Sequence, residues 1–275
     1  MNTKILIILL VLNHTLYASQ EGKDIAWGMI SRANGTVKPD ENDQLKMYLE
    51  DTFRYAQTPK GDLFVIADGR NNPHGKNRTC DKIQNMLSDF FKQSNGDVKE
   101  ALKTAFSQVE DLANEYDQRR NLADESTVLA IYIDHTGRTH CANVGNSSLI
   151  AFSGQHCNFA TKDHDIDNND EIQRIRTHIG DIKFRNFIRI IDKSQGTDAR
   201  ANNRIIRSTN SKLTRFIGNP EAKELSKKNR INNSPFIAEP EIYEIVGNRY
   251  LVMATAGFWD MFGADQVASK IMKLM

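Results

Sequence analysis

The run YLVMATAGFWDMF, from Tyr250 to Phe262, decides how the rest of this sequence is read. Tyr250–Ala254 is apolar and rich in strand formers, which predicts a strand buried on both faces. Thr255-Ala256-Gly257 breaks it with a turn of small residues, and Phe258, Trp259, Met261 and Phe262 lead into an apolar, helix-like tail. A buried strand that stops in a tight turn is a place where a rigid scaffold presents a ligand or a catalytic group.

A second stretch has the same design. Leu63–Ala67 reads as a buried strand that ends at Asp68-Gly69-Arg70. There a carboxylate stands at the strand end, beside a glycine that lets backbone approach a ligand. Upstream, Ile25–Ile30 reads as a strand leading to Ser31-Arg32 and the polar loop Ala33–Gln44. Downstream, Ile83, Met86, Leu87, Phe90 and Phe91 recur at helical spacing. Asp97 and Glu100 form a capping box for a second helix, whose stripe runs from Val98 through Leu102, Phe106 and Val109 to Tyr116. Two one-sided helices between strands need a sheet to cover.

Thr127–Asp134, Arg138–Val144 and Leu149–Phe152 are three strand patterns joined by short turns, which predicts an antiparallel meander. Thr161-Lys162-Asp163-His164 follows, and a lone His in such a polar loop reads as solvated or capping rather than as a ligand. From Asp165 to Asn233 the chain is polar, basic and Asn-rich. Short helical signals at Glu171–Ile175 and a packed segment at Leu213–Gly218 interrupt what otherwise reads as a surface insertion.

The 275 residues, 39% hydrophobic and 26% charged, suit an ordinary soluble globular protein of one large domain or two small ones. The net charge of +1 gives no reason to expect nucleic acid as a partner. It hides an asymmetry, because Ile172–Arg230 carries fifteen Lys/Arg against five Asp/Glu, leaving −9 for the remainder. Lys4, the apolar run Ile5–Leu12 and the small residues up to Ala18 describe a cleavable leader, too short to span a bilayer. Residues 1–18 are therefore set apart as a signal peptide, with 19–275 as the folded domain. The expectation is a secreted or periplasmic protein with no stable membrane anchor after cleavage. Of Cys80, Cys141 and Cys157, the second sits in a strand pattern as a core thiol, and a Cys80–Cys157 bridge stays open.

The order of these pieces resembles the metal-dependent Ser/Thr protein phosphatase family (PPM, type 2C). The family's Asp-Gly-His-Gly-Gly motif is similar to Phe64–Arg70, and its Gly-Ser-Thr motif to Glu125-Ser126-Thr127. Ala142–Ser148 resembles its Ala-Asn-Val-Gly-Asp-Ser-Arg turn, and Thr161–His164 its Thr-x-Asp-His motif. Leu213–Asn219, Pro240-Glu241 and Ala254–Asp260 resemble its late motifs, the last being Ala-Ser-Asp-Gly-Leu-Trp-Asp. The resemblance covers roughly residues 25–270. It implies an α+β fold of two packed antiparallel sheets flanked by helix pairs, C-terminally shortened because the family's last strands are missing, with a basic insertion at about 165–233.

In that family two divalent ions, manganese or magnesium, share a water that attacks a phosphoserine or phosphothreonine in line. Carried over, the resemblance makes Asp68 a bridging ligand and Gly69 a carbonyl ligand. It gives Asp163 and Asp260 to an outer metal, and Arg32 to the substrate phosphate. The departures are equally specific. Ala256 stands where a ligand Asp is needed, Arg70 where the family has His, and Asn146 and Asn219 replace acids. A methyl group cannot ligate a cation that demands oxygen donors. Two dications ~4 Å apart repel by roughly 17 kcal/mol at an effective dielectric of about 20, and several carboxylates must offset that. The sequence therefore predicts a weak or single-ion site, and a catalytically impaired protein that acts by binding a phosphorylated or acidic protein partner. An active manganese- or magnesium-dependent phosphatase with rearranged ligands is the alternative.

Overall fold

The computed structural model describes residues 5–11, 15–16, 25–31, 37–39, 45–47, 51–70, 78–93, 97–120, 125–181, 184–185, 188–190, 204–206, 211–223, 234–248 and 250–274. In chain order the strands are β1 (Ile5–Val11), β2 (Thr15–Leu16), β3 (Ile25–Ser31), β4 (Val37–Pro39), β5 (Leu45–Met47), β6 (Asp51–Thr58) and β7 (Gly61–Arg70). Helices α1 (Arg78–Gln93) and α2 (Val98–Arg120) follow, then β8 (Glu125–Asp134), β9 (Thr139–Val144), β10 (Ser148–Phe152) and β11 (Cys157–Ala160). The remainder is α3 (Asn169–Ile179), β12 (Ile188–Ile190), β13 (Arg204–Ile206), β14 (Ile217–Gly218), β15 (Glu241–Ile245), β16 (Tyr250–Ala254), α4 (Ala256–Trp259) and α5 (Ala264–Leu274).

One sheet has the order β15-β9-β8-β7-β6, with β14 extending it alongside β8; the other has the order β11-β10-β16-β1-β3-β2. Period-two alternation divides each strand's side chains between two faces. Phe64, Ile66, Leu129, Ile131, Cys141, Leu149, Leu251 and Met253 meet between the sheets in one buried cluster. The opposite faces of β7, β8 and β9 carry Leu63, Val65, Ala67, Val128, Ala130 and Ala142, covered by Leu87, Leu102, Phe106 and Val109 of α1 and α2. Ile150, Phe152, Val252 and Ala254 turn outward from the second sheet beneath Phe258, Val267 and Ala268 of α4 and α5. The result is the expected α+β sandwich, helix–sheet–sheet–helix.

Two expectations are corrected. The meander stops after two strands: β8 and β9 pair in the first sheet, whereas β10 crosses to the second and pairs with β16 and β11. The turn at Gly145, with φ +107, makes that crossing, and the Thr127 side chain lies only 2.4 Å from where a Cβ would stand. Ile5–Val11, within the leader-like run, forms β1, which pairs in parallel with both β16 and β3. A continuous apolar run serves a parallel strand between two neighbours as well as it serves a leader core. Finally, the basic region carries its own core, in which Ile166, Ile172, Ile175, Phe216 and Phe236 pack together. Cys141 is a buried free thiol, as expected, and Cys157 is also free, so it is not half of a bridge. Among the described residues no helix is long and apolar enough to cross a membrane.

Candidate functional site

The apolar layer between the sheets changes character at one end. Following each strand from that layer toward the end of β7, Ile66 gives way to Asp68, Leu129 to Thr127 and Cys141 to Asn143. In the second sheet Leu149 gives way to Ser147 and Met253 to Thr255. Thr127, Asn143, Ser147 and Thr255 are all buried. The Thr127 and Ser147 hydroxyls lie 3.0 Å apart and link the two sheets across this rim. β3 ends at the same rim, since Leu10 pairs with both Ala254 and Ile30. Arg32, expected to hold phosphate, follows that strand end and lies outside the described residues.

Asp68 is half-buried and Gly69 buried at the end of β7. Directly opposite Asp68, in β6, is Asp51, which the sequence reading does not select. β6 is DTFRYAQT, too mixed to stand out as a strand. The signal that would find it is the two-residue loop Pro59-Lys60, which pairs Thr58 with Gly61 and lays DTFRYAQT along the apolar run.

The other two expected acids lie on the loop after β11 and at the end of α4. Asp163 Oδ1 accepts a hydrogen bond from Ser148 Oγ at 2.7 Å. Desolvation, against the pull of that hydroxyl and with the charges of Asp165 and Asp260 adding to it, raises the Asp163 carboxyl to about 6. Asp163 and Asp260 are thus brought into one electrostatic environment, though both are exposed as residues. Ala256 opens α4 directly beyond β16, with its carbonyl accepting the Asp260 N–H at 2.9 Å. Trp259 Nε1 donates to the carbonyls of Ser148 at 2.9 Å and Ala254 at 3.2 Å, which pins this turn to β10.

Behind the acidic loop lies a network that the sequence does not announce. His164 is fully buried, not solvated. Its Nδ1 accepts the Gly145 N–H at 3.1 Å, so Nε2 carries the proton and donates to Glu241 Oε2 at 3.1 Å. Burial, and then the nearby Arg215 charge, push His164 down to about 4. Glu171, 2% exposed, accepts from Thr214 Oγ1 at 2.6 Å, Arg215 Nη2 at 2.6 Å and Arg174 Nη2 at 2.8 Å. Burial opposes its ionisation, but these bonds outweigh that cost and hold the carboxyl at about 2. Lys212 pairs with Asp167, and Lys223 with Glu110. Four described cations of the basic region are therefore spent internally.

The acid-to-amide change at position 219 has a structural counterpart. Asn219 Nδ2 donates to Glu125 Oε1 at 2.9 Å, and its backbone N–H donates to Asp117 Oδ2 at 3.2 Å. A carboxylate at 219 would face Glu125 with like charge.

A two-metal centre needs several oxygen donors converging on each ion. Among the described residues no three His, Cys, Asp or Glu side chains come together to hold a metal ion. Ala256 offers only a methyl group where the resemblance calls for an acid. The described donor set does not fit the pair of dications that the resemblance implies.

A model of the protein phosphatase 2C family matches residues 40–274. The chain is 23% identical over 217 residues to Probable protein phosphatase 2C 59 of Arabidopsis thaliana, covering 76% of this chain and 59% of that protein. Among solved structures it resembles a C. elegans sex determining protein, with 15% identity and a TM-score of 0.61, over 81% of this chain and 52% of that one. It also resembles a serine-threonine phosphatase 2C from Toxoplasma gondii, with 16% identity and a TM-score of 0.56, over 83% of this chain and 79% of that one. A third likeness is the S. agalactiae serine/threonine phosphatase, with 15% identity and a TM-score of 0.55, over 82% and 81% of the two chains. The chain thus spans between half and three-fifths of the plant relative and the nematode structure. At these identities the structural likenesses show the fold.

Proposed function

The chain belongs to the protein phosphatase 2C family, and from that premise we propose that it is a Ser/Thr phosphatase-like domain with impaired hydrolysis, acting by binding a phosphorylated or acidic protein. The observation that carries this reading is Ala256, a carbon side chain at the strand-end turn where a cation-binding carboxylate belongs. Manganese and magnesium are the ions the family generally uses, and a weak or single ion is what the remaining acids support. The net +10 of Ile172–Arg230 supports an acidic partner. Because several of its described cations are already paired, that partner would engage the rest of the segment. The leader-like start supports export to a secreted or periplasmic location. A nucleic-acid partner gains no support from the overall charge of +1.

A second reading has a specific observation in its favour. Asp51 stands opposite Asp68, so the rim holds one acid more than the sequence reading counts, which supports a phosphatase with rearranged ligands. The two readings part in one assay. The full chain is given p-nitrophenyl phosphate and a phosphothreonine peptide with millimolar manganese or magnesium, alongside Asp68→Ala. The impaired reading expects no metal-dependent turnover that Asp68→Ala removes. Turnover that is metal-dependent and lost in Asp68→Ala defeats it.

A further inference from the structure

Resting on that reading of a protein that acts by binding, we infer that the turn between α4 and α5 is a docking surface. Its occupant is a protein segment that offers an Arg or Lys beside an aliphatic side chain. Met261 is 72% exposed and Phe262 41% exposed, and both lie between the end of α4 at Trp259 and the start of α5 at Ala264. Single apolar side chains on a surface carry little meaning, but these two are held in place. The N–H groups of Asp260, Met261 and Phe262 donate to the carbonyls of Ala256 and Phe258 at 2.9, 3.0 and 3.2 Å. The buried Phe258 ring stands 5.0 Å from both the Trp259 and the Phe262 rings, and Trp259 is itself tied to Ser148 and Ala254 by its indole N–H. The exposed pair is thus presented on a rigid aromatic base, so little freedom is lost when a partner covers it. Met and aromatic side chains are also the apolar types that interfaces favour.

Charge selects the occupant. Asp260 precedes the apolar pair and Asp265 follows it in the first turn of α5, both exposed. Asp163, exposed as well, feels the Asp260 charge from the neighbouring loop. The cations close by are engaged or weak: Lys162 pairs with Asp170 at 2.6 Å, and His156 stands 3.9 Å from Asp265, which also takes the Cys157 N–H at 2.8 Å. Acids around an apolar contact repel a phosphate, a carboxylate or an anionic lipid surface, and attract a cation. A guanidinium or ammonium meets two groups here, the Asp260 carboxylate and the open face of the Phe262 ring. An aliphatic neighbour on the same segment covers Met261. The acidic partner proposed for Ile172–Arg230 engages a different surface, and this turn takes the opposite charge.

The test titrates the full-length chain in EDTA against a labelled Arg-Leu repeat peptide and its Glu-Leu counterpart, read by fluorescence anisotropy. Phosphatidylcholine–phosphatidylglycerol vesicles are tested beside them by cosedimentation. The wild type should bind the Arg-Leu peptide and not the Glu-Leu one. Met261→Ser should weaken that binding about tenfold, the scale of an interface anchor. Asp260→Asn should weaken it severalfold and flatten its salt dependence. Val246→Ser removes a similarly exposed apolar side chain at the opposite end of β16, 76% exposed, and should bind as the wild type does. If Met261→Ser does not fold, Met261→Gln, unbranched and of similar length, is measured in its place. The inference is overturned if the wild type ignores the Arg-Leu peptide or prefers the Glu-Leu one, or if the Met261 and Val246 variants bind alike. Vesicle binding that Met261→Ser abolishes, without peptide binding, also overturns it by making the turn a membrane contact. This readout is separate from turnover: metal-dependent activity in the wild type defeats the impaired reading, whereas an inactive wild type indifferent to the peptides defeats only the docking surface.

Discussion

Acidifying the protein from pH 7.5 to 5 should destabilise it through His164. The imidazole is fully buried, its Nδ1 already takes the Gly145 N–H, and Arg215 stands nearby, so a second ring proton has no acceptor to meet. With a folded pKa of about 4 against an ordinary 6.5, the unfolded chain binds the extra proton first. Stability is therefore complete above about 6.5, falls as pH drops, and has lost its His164 share by about 4. At pH 5 the linkage amounts to about 2 kcal/mol, which for a chain of this size lowers Tm by about 4–8 °C. Asp163, raised to about 6, works in the opposite direction across part of this range, so the wild-type curve alone does not isolate the histidine. The difference between wild type and His164→Gln does, because glutamine keeps an acceptor and a donor but cannot titrate. Scanning calorimetry at pH 7.5, 6 and 5 should give a flatter acid limb for His164→Gln by about that amount. Parallel slopes for the two proteins would refute the buried, neutral imidazole.

Other perturbations have equally definite outcomes. Glu171→Gln leaves Arg174 and Arg215 without their shared carboxylate and should cost about 3 kcal/mol in urea unfolding at pH 7. The wild type should lose the same contribution only as pH falls from about 4.5 toward 2, because the folded carboxyl is held low. Gly145→Ala meets both φ +107 and the Thr127 side chain, so a loss of at least about 2 kcal/mol is expected, and a neutral result would contradict the tight crossing. Asn219→Asp, which restores an acid motif, should lower Tm rather than improve metal binding, since it sets like charge against Glu125 and Asp117.

What the sequence makes legible are features carried by contiguous residues. Leu63–Ala67 and Tyr250–Ala254 are apolar runs that form strands, the second ending where it is read and the first running on through Asp68 to Arg70. The two amphipathic helices declare themselves by spacing alone. What escapes is set by tertiary pairing. Short turns follow both β8 and β9, yet only the crowding of Gly145 on Thr127 marks the second as a crossing between sheets. Asp51 matters because of the strand it faces, and its own strand is too polar to be noticed. Glu171 looks like any surface acid until Thr214 and Arg215, more than forty residues away, close over it. Ile5–Val11 suits two fates, leader core or parallel strand, and composition does not separate them.

The central claim, that a methyl group at Ala256 has removed the two-cation centre, is tested most directly by counting ions. Isothermal calorimetry of the full-length chain with manganese, beside Ala256→Asp, gives the stoichiometry. The account predicts at most one weak site per wild-type chain and an added site when the carboxylate is restored. Two manganese ions bound per wild-type chain, with Ala256→Asp unchanged, would contradict it.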